Sequence, residues 1–324
     1  MAGVIYADAQ LRELGFLRFA EGDFSIGVYN SFSLKVQDDA GIAEGSYLMI
    51  DGTEYGGRVD GLDIDTEADY VTAVGRTWHG ILESSLVKPP AGQGHLVESG
   101  DCNAVIGRLV ERLGLAYCMA AETAASGLEV SGWKFTREGE RMGGYSQIRA
   151  MLASVGGKLR IRYDGARRRA VLSAVPRGDY VDEGIDGDLV PFEISTRRPV
   201  NHLHCMGTGE GAARTVIDLY ADKDGNVSRT QTLAGPYHVE EAYDNPSADE
   251  AELEEYGTQR LRDYQADLRK CGLKNAADTR YEVDDIVGGV STRHGVSVIT
   301  TVAAKVATVS GDEITYETKT AMEV

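Results

Sequence analysis

The chain has 324 residues, of which 42% are hydrophobic and 26% charged, so it can bury a sizeable core and is long enough for two or three domains. Its formal net charge of −18 argues against a nucleic-acid-binding protein, because phosphate binding needs a cationic surface. No apolar stretch approaches the roughly 18 residues of a membrane-spanning helix, so no contact with a membrane is expected.

Residues 1–93 are predicted to form a first small β-barrel domain, because short alternating runs are separated by turn-prone residues. The predicted strands are Phe24–Val28, Phe32–Val36, Ser46–Ile50, Tyr55–Val59 and Tyr70–Gly75. Thr77 is then expected to cap a short helical turn. The side chains expected to point inward from this turn are Trp78, Ile81, Leu82 and Leu86.

Residues 94–187 are predicted to form an α+β insert of two helices and a hairpin. Asp101 should cap the first helix, and Gly114 should end it. The second helix is expected over Tyr145–Val155. The hairpin that follows alternates basic and apolar side chains from Lys158 to Tyr163, which is typical of a strand with one buried face.

Residues 188–324 are predicted to form a second small β-barrel domain with a covering helix over 247–271. Ser247 and Glu250 form a capping box at the start of this helix, and Gly272 is placed to end it. The strands predicted before the helix are Phe192–Thr196, Asn201–Gly207, Arg214–Tyr220 and Ser228–Leu233.

The C-terminal end is predicted to be an antiparallel meander that the helix covers. A long strand is expected over Val296–Val309, with a bulge near Ala307 and with Lys305 on the wet face. The chain is expected to return along Glu313–Thr320. Because this order of strands and turns echoes the N-terminal region, two related barrels are predicted.

Several motifs resemble functional sites but are interpreted as structural. His202 and His204 share one face of a strand, but the sequence shows no third metal ligand beside them. Asp222–Asn226 resembles the start of a calcium loop, but its glycine is in the fourth position, which favours a hairpin turn. The glycine-rich Gly207–Gly211 precedes a strand-like run instead of a helix, so it is a weak phosphate cradle.

Cysteines and nucleophile motifs give no further candidate. Cys102, Cys118, Cys205 and Cys271 show no C-x-x-C spacing, and no secretory leader follows Met1. We therefore expect reduced core thiols in a protein made in the cytoplasm. No catalytic residue, cofactor-binding residue or metal ligand is assigned, and neither a cofactor nor an enzymatic activity is predicted.

The segment Lys158–Arg169 is the clearest departure from the acidic character of the chain, with six basic residues in twelve positions. One interpretation is a contact with nucleic acid. The other is a solvated strand, or a strand that meets an acidic patch on a neighbouring copy of the chain. The second interpretation is favoured, because the field of the whole protein repels phosphate.

A set of short stretches, in this order, resembles the baseplate hub or tail-associated proteins of long-tailed bacteriophages and prophages. The stretches are Val74–Leu82, Val87–Pro90, Ser99–Asp101, Tyr145–Tyr163, Asn201–Gly209 with Arg214, and Tyr281–Val287. They span most of the chain. Asp284 departs from the pattern, because glycine is expected before the second aspartate, and this places the local turn in question.

The resemblance implies two β-barrel domains with an α+β elaboration, and a homotrimer whose barrels form a pseudo-sixfold ring at the end of the tail tube. Family members with an enzymatic or host-binding extension carry it after this region. Since the sequence stops at Val324, directly after the meander, no such extension is expected.

The sequence therefore predicts a structural, non-enzymatic subunit of a phage or prophage tail tip that closes the tail tube. Its expected partners are itself, a tail-tube or distal tail ring protein, and tip or receptor-binding components. It would be made in the bacterial cytoplasm and assembled into the virion. The alternatives are a tail-associated cell-wall hydrolase or protease, and a stand-alone carbohydrate-binding β module. A clustered His/Asp/Glu pocket would favour the first, and an exposed aromatic platform the second.

Overall fold

The computed structural model describes residues 3–37, 41–135, 142–186, 192–196, 199–266, 269–273, 281–291, 296–311 and 313–320. By its internal contacts the chain divides into two compact units. The first unit comprises Met1–Pro191 and Leu273–Val324, and the second comprises Phe192–Gly272. Strands predominate in both, so the predicted mainly-β class with an α+β elaboration is confirmed.

The secondary-structure elements are named in chain order. The strands of the first part of the chain are β1 (Val4–Ala7), β2 (Glu13–Phe16), β3 (Ala20–Ile26), β4 (Ser31–Gln37), β5 (Tyr47–Ile50), β6 (Gly56–Ile64), β7 (Tyr70–Thr77), β8 (Leu96–Asp101), β9 (Met119–Ala121), β10 (Glu129–Phe135), β11 (Gly157–Asp164), β12 (Arg169–Pro176) and β13 (Asp179–Asp186). Those of the remainder are β14 (Phe192–Thr196), β15 (His202–Met206), β16 (Val216–Ala221), β17 (Val227–Ser228), β18 (Glu240–Asp244), β19 (Arg269–Leu273), β20 (Ile286–Ser291), β21 (Val296–Ser310) and β22 (Glu313–Thr320). The α-helices are α1 (Trp78–Glu83), α2 (Cys102–Arg112), α3 (Gly144–Ala153) and α4 (Glu250–Ala266).

The first unit contains an eleven-stranded sheet that joins the two ends of the chain. Its order is β13-β20-β21-β3-β4-β7-β6-β5-β1-β2, and β22 also pairs with β21. The C-terminal strand β21 therefore adds to the N-terminal sheet by antiparallel pairing with β3. Among the described residues these pairings do not close into a barrel. The predicted boundaries at residues 93 and 187 remain a prediction.

An aromatic stack at Trp78 links the sheet to the insert. The Trp78 ring is fully buried between Tyr47 of β5, at 5.5 Å, and Tyr163 of β11, at 6.0 Å between ring centroids. Thr77 caps α1 as predicted, by accepting a hydrogen bond from the Gly80 amide. Leu86, which was expected to point inward, is 48% exposed because it lies beyond the end of the helix.

The predicted insert of two helices and a hairpin is present. Asp101 is the N-cap of α2, accepting a hydrogen bond of 2.9 Å from the Asn103 amide. The hairpin strands β11 and β12 pair in register from Gly157 opposite Pro176 to Asp164 opposite Arg169. The apolar residues of α2 and α3 bury against this hairpin and against the Trp78 stack in one core.

Strand β21 follows the predicted course with a displaced bulge. Its pairing with β22 shifts between Val302 and Ala304, before the predicted position at Ala307. As a result Ala304 and Lys305 are both buried, whereas Lys305 was expected on the wet face. Its ammonium group is satisfied by the Glu54 carboxylate at 2.7 Å, which makes the burial tolerable.

The second unit contains a four-stranded sheet, in the order β17-β16-β15-β18, packed on α4. Leu253 and Leu261 of the helix are fully buried in this core. A Cβ added at Gly257 would lie 2.7 Å from Cys205 and Leu219, so the glycine allows close packing of helix on sheet.

Two predictions in this unit need correction. The helix predicted over 247–271, as a cover for the C-terminal meander, runs from Glu250 to Ala266 and packs on β15 and β16. Arg269–Leu273 forms a strand instead, paired with β14. The strand predicted over Ser228–Leu233 is not formed as such. The structure has only the two-residue strand Val227–Ser228 there. The polar composition of that segment offers few side chains to bury.

We predict that position 80 requires glycine, because the backbone of Asn30 approaches it too closely to leave room for a side chain. A Cβ there would lie 2.1 Å from the Asn30 carbonyl oxygen, so Gly80→Ala should lower the free energy of unfolding by about 1–3 kcal/mol. Gly107→Ala in α2 is the matched control, because its Cβ would meet Ala121 at an ordinary 3.6 Å. That change should stabilise by about 0.5–1 kcal/mol through helix propensity. Urea unfolding followed by tryptophan fluorescence reports on the first unit, and stabilisation by both changes would contradict the prediction.

Candidate functional site

The basic hairpin singled out in the sequence meets an acidic turn of the same chain. Lys158 of β11 lies 2.6 Å from carboxylate oxygens of both Glu282 and Asp285. Arg160 forms two parallel hydrogen bonds with Glu282, at 2.8 and 2.9 Å. The predicted acidic counterpart therefore exists within the chain, instead of on a neighbouring copy. We call the side chains of Lys158, Arg160, Glu282 and Asp285 the ion cluster.

Asp285 holds the backbone around this cluster as well as the charge. Its side chain is fully buried. It accepts hydrogen bonds of 2.8 Å from the amides of Gly178 and Glu282 in addition to the one from Lys158. Such a carboxylate has no remaining need for water, and it fixes the turn that leads into β20.

Asp284 adopts a left-handed backbone conformation, with φ of 76°. This is the position at which the family resemblance leads one to expect glycine, which reaches positive φ without strain. The Arg149 guanidinium compensates by forming paired hydrogen bonds with the Asp284 carboxylate, and Arg177 donates to its carbonyl oxygen. The departure in sequence therefore leaves the turn intact.

The cations of the ion cluster keep the Glu282 carboxylate in its charged form. Burial alone would raise the pKa of Glu282, but the hydrogen bonds from Arg160 and Lys158 outweigh it and lower this pKa to about 2. The carboxylate is therefore ionised at neutral pH. A general acid or base needs a pKa near the working pH, so the cluster acts as a clamp.

Three arginines of the hairpin line a groove of about 690 Å³ in which both signs of charge occur. Arg160, Arg162 and Arg167 contribute positive charge. The carboxylates of this groove are Glu13, Asp51, Glu122 and Asp164. Because the acids balance the guanidinium groups, the groove is unsuited to a phosphate backbone, and the interpretation of the hairpin as a nucleic-acid contact loses support.

A second polar cluster lies in the second unit, around His202. Its Nδ1 is 2.8 Å from Nε2 of His238 and 3.4 Å from a carboxylate oxygen of Glu240. Its Nε2 is 2.8 Å from the Asp218 carboxylate, which also contacts Nδ1 of His204 at 2.8 Å. We call His202, His238, Glu240 and Asp218 the histidine cluster.

Strand register explains this convergence. His202 on β15 stands opposite Tyr220 of β16 and Glu240 of β18, and His204 stands opposite Asp218. The Tyr220 ring stacks on His202 with 4.3 Å between centroids. The sequence analysis identified His202 and His204 on β15 but not Asp218, His238 and Glu240. The local sequence pattern does not show which strands will pair with β15.

The other motifs have structural roles. Asp222 accepts hydrogen bonds from the amides of Asp224 and Asn226, which closes the turn between β16 and β17. The glycine-rich Gly207–Gly211 leads into a short 3-10 turn and then β16, so no α-helix N-terminus follows it. Burial raises the pKa of the Cys102, Cys118 and Cys205 thiols to about 11, which keeps them protonated. The side chain of Cys271 lies outside the described residues.

None of the helices in the described part of the chain combines the length and apolarity that crossing a membrane requires. No protein-family model matches the sequence, and no curated protein sequence matches it significantly.

Solved structures of phage tail proteins share the fold across nearly the whole chain. The 43 kDa tail protein of prophage MuSo2 from Shewanella oneidensis aligns with a TM-score of 0.54 at 11% identity, covering 99% of this chain and 98% of that one. A chain of the phage P2 baseplate, in its activated conformation with Ca, gives 0.52 at 11% identity over 99% and 98%. The tail protein of Neisseria meningitidis MC58 gives 0.50 at 13% identity over 98% and 95%. The resemblance to phage tail and baseplate proteins is thereby confirmed at the level of the fold.

The ion cluster is predicted to contribute strongly to stability. Lys158→Met should lower the free energy of unfolding of the first unit by about 3 kcal/mol, because the fully buried Asp285 carboxylate would lose its cation. Arg162→Met is the matched control on the same strand. Arg162 is 57% exposed and 3.3 Å from Glu282, so its loss should cost less than about 1 kcal/mol. Equal effects of the two changes in urea unfolding would contradict a buried clamp.

Two substitutions at position 284 separate the effect of the left-handed backbone conformation on stability from the effect of the ion pair. Asp284→Gly and Asp284→Ala both remove the carboxylate that pairs with Arg149. Only alanine then meets the steric penalty of positive φ, so it should be the less stable of the two by about 1 kcal/mol. Urea unfolding midpoints measure the difference. Indistinguishable midpoints would show that the turn changes conformation once the ion pair is lost.

Proposed function

We propose that this chain is a structural, non-enzymatic subunit of a phage or prophage tail tip. In this role it closes the end of the tail tube and connects it to tip components. The observation that carries the proposal is the shared fold with tail and baseplate proteins over nearly the full length of the chain and of its counterparts. Because one fold can host several functions, the content of the polar clusters has to agree with this role.

The polar clusters support assembly in preference to catalysis. The ion cluster consists of carboxylates and cations that pair with each other across separate segments of the chain, and the Cys102, Cys118 and Cys205 thiols are buried and protonated. Ion pairs that tie separate segments of the chain together suit a part that must keep its shape against neighbouring rings. The protein would be made in the bacterial cytoplasm and then incorporated into the virion.

Self-association is the second part of the proposal. We propose a homotrimer that contacts a tail-tube or distal tail ring protein on one side and tip or receptor-binding components on the other. Within the first unit, β2 ends the sheet and pairs only with β1 among the described strands. It exposes Leu14 at 57% and Phe16 at 64%. An edge strand with exposed apolar side chains favours pairing with another chain.

A cell-wall hydrolase or protease remains the competing function. The observation that favours it is the histidine cluster, since imidazoles and carboxylates are also the groups of hydrolytic sites. Against it, three grooves of the described chain, of about 690, 520 and 200 Å³, contain none of the residues of this cluster. Turnover of peptidoglycan or peptide substrates that disappears in His238→Ala would establish the hydrolase.

A carbohydrate-binding module has less support. Such modules present a platform of neighbouring aromatic rings to a sugar. The strongly exposed rings here include Phe16 on β2, Tyr29 in a turn and Tyr256 on α4, which belong to separate elements. None of the ring pairs found among the described residues joins two of them.

Light scattering of the full chain over a wide concentration range tests the trimer. We expect three times the mass of one chain, persisting on dilution. Phe16→Lys should shift the mass towards that of a monomer, because it places a charge on the exposed edge. Ile64→Lys is the control, since Ile64 is equally exposed, at 66%, but lies on the interior strand β6. A monomer at every concentration contradicts the trimer, and equal effects of both variants contradict the β2 contact.

A further inference from the structure

The histidine cluster contains three potential ligand atoms that come from two separate segments of the sequence. Nδ1 of His202, Nε2 of His238 and a carboxylate oxygen of Glu240 all lie within 4.8 Å of one another. The two histidines are 36 residues apart, and the fold brings them together at the start of β18. The sequence alone favours structural histidines because it shows no third ligand, and strand pairing supplies that ligand.

The spacing of these atoms matches the coordination sphere of a small divalent ion. Bonds of about 2.0–2.1 Å in a tetrahedral zinc site place neighbouring ligand atoms about 3.3 Å apart. The Glu240 oxygen is already 3.4 Å from Nδ1 of His202. The two imidazole nitrogens are 2.8 Å apart, so an opening of about half an ångström is sufficient to admit the ion.

Asp218 prepares His202 for this role. A carboxylate only accepts hydrogen bonds, so its contact with Nε2 keeps the proton on that nitrogen and leaves the lone pair of Nδ1 free to face His238 and Glu240. The same carboxylate also contacts Nδ1 of His204 at 2.8 Å. A histidine ligand backed by a carboxylate is the usual arrangement in metal sites.

The second ligand is held just as firmly. The Asn201 side chain donates a hydrogen bond of 2.6 Å to the Tyr237 carbonyl and accepts one of 3.0 Å from the Val239 amide. These contacts hold the backbone on both sides of His238, and the His238 ring stacks on the ring of His202 with 5.0 Å between centroids. Glu240 follows as the first residue of β18 and is half exposed, which leaves one side of the site open to water.

We propose that His202, His238 and Glu240 form a binding site for a divalent transition-metal ion of the zinc class, with Asp218 as the positioning residue of His202. Two imidazoles and one carboxylate are the donors that such ions prefer over magnesium or calcium. The fourth position would be taken by water. The ion would tie the segment before β18 to the central strand β15, and this role does not depend on the proposed tail function.

Titration of the chelator-treated full chain with Co²⁺, followed by visible absorption, tests the site. We expect one Co²⁺ per chain with the absorption of a tetrahedral complex, displaced by Zn²⁺. His238→Ala should weaken binding at least 100-fold, since it removes a ligand, and Asp218→Asn should weaken it by about 10–100-fold. His95→Ala, which removes a histidine of the first unit, should leave binding unchanged.

Each outcome decides the question. Absence of stoichiometric binding, or binding of equal strength in wild type and His238→Ala, overturns the proposal. If circular dichroism shows that His238→Ala does not fold, Glu240→Gln provides the same test, because Glu240 is half exposed and its loss removes one ligand without opening the core. Loss of binding in both His95→Ala and His238→Ala would place the ion elsewhere and also overturn the site.

Discussion

The buried ion pair between Lys158 and Asp285 is the constraint on which the first unit depends. Neither group can leave water without the other, because an unpaired buried charge costs more than folding can recover. The side chains are 4% and 0% exposed, and their residues are 127 positions apart in sequence. Burying them therefore forces the turn before β20 against the hairpin strand β11. Once that turn is fixed, β20 is in place to pair with β21, and β21 pairs in turn with β3 of the large sheet.

Local patterns in the sequence predicted the elements but could not predict this pairing. The alternation of Leu159, Ile161 and Tyr163 with basic residues correctly indicates a strand with one buried face. The same alternation assigns Lys158 to the wet face, whereas the structure buries it. Periodicity reports which side of a strand is apolar. It carries no information about a distant carboxylate that can neutralise a cation on the other side.

The long strand β21 shows the same limit. Its extent was predicted to within one residue, because fourteen positions of β-prone sequence end at a glycine turn. Its neighbour β3 was not predicted, since any exposed strand edge offers the same row of backbone donors and acceptors. The histidine cluster follows this rule too. His202 and His204 were recognised as a pair, but His238 and Glu240 acquire their significance only through the register of β15 with β18.

Because the charges of the ion cluster are paired within the chain, they also limit how copies of the chain can associate. The chain has a net charge of −18, and because Lys158 and Arg160 are already paired internally, its basic hairpin has fewer cations available to attract another acidic copy. Coulomb forces between copies are therefore repulsive at long range. Any self-association must gain its free energy from apolar contact and backbone hydrogen bonding at short range. The exposed edge strand β2, with Phe16, is a surface of that kind, whereas the basic hairpin, despite its prominence in the sequence, is already occupied within the chain.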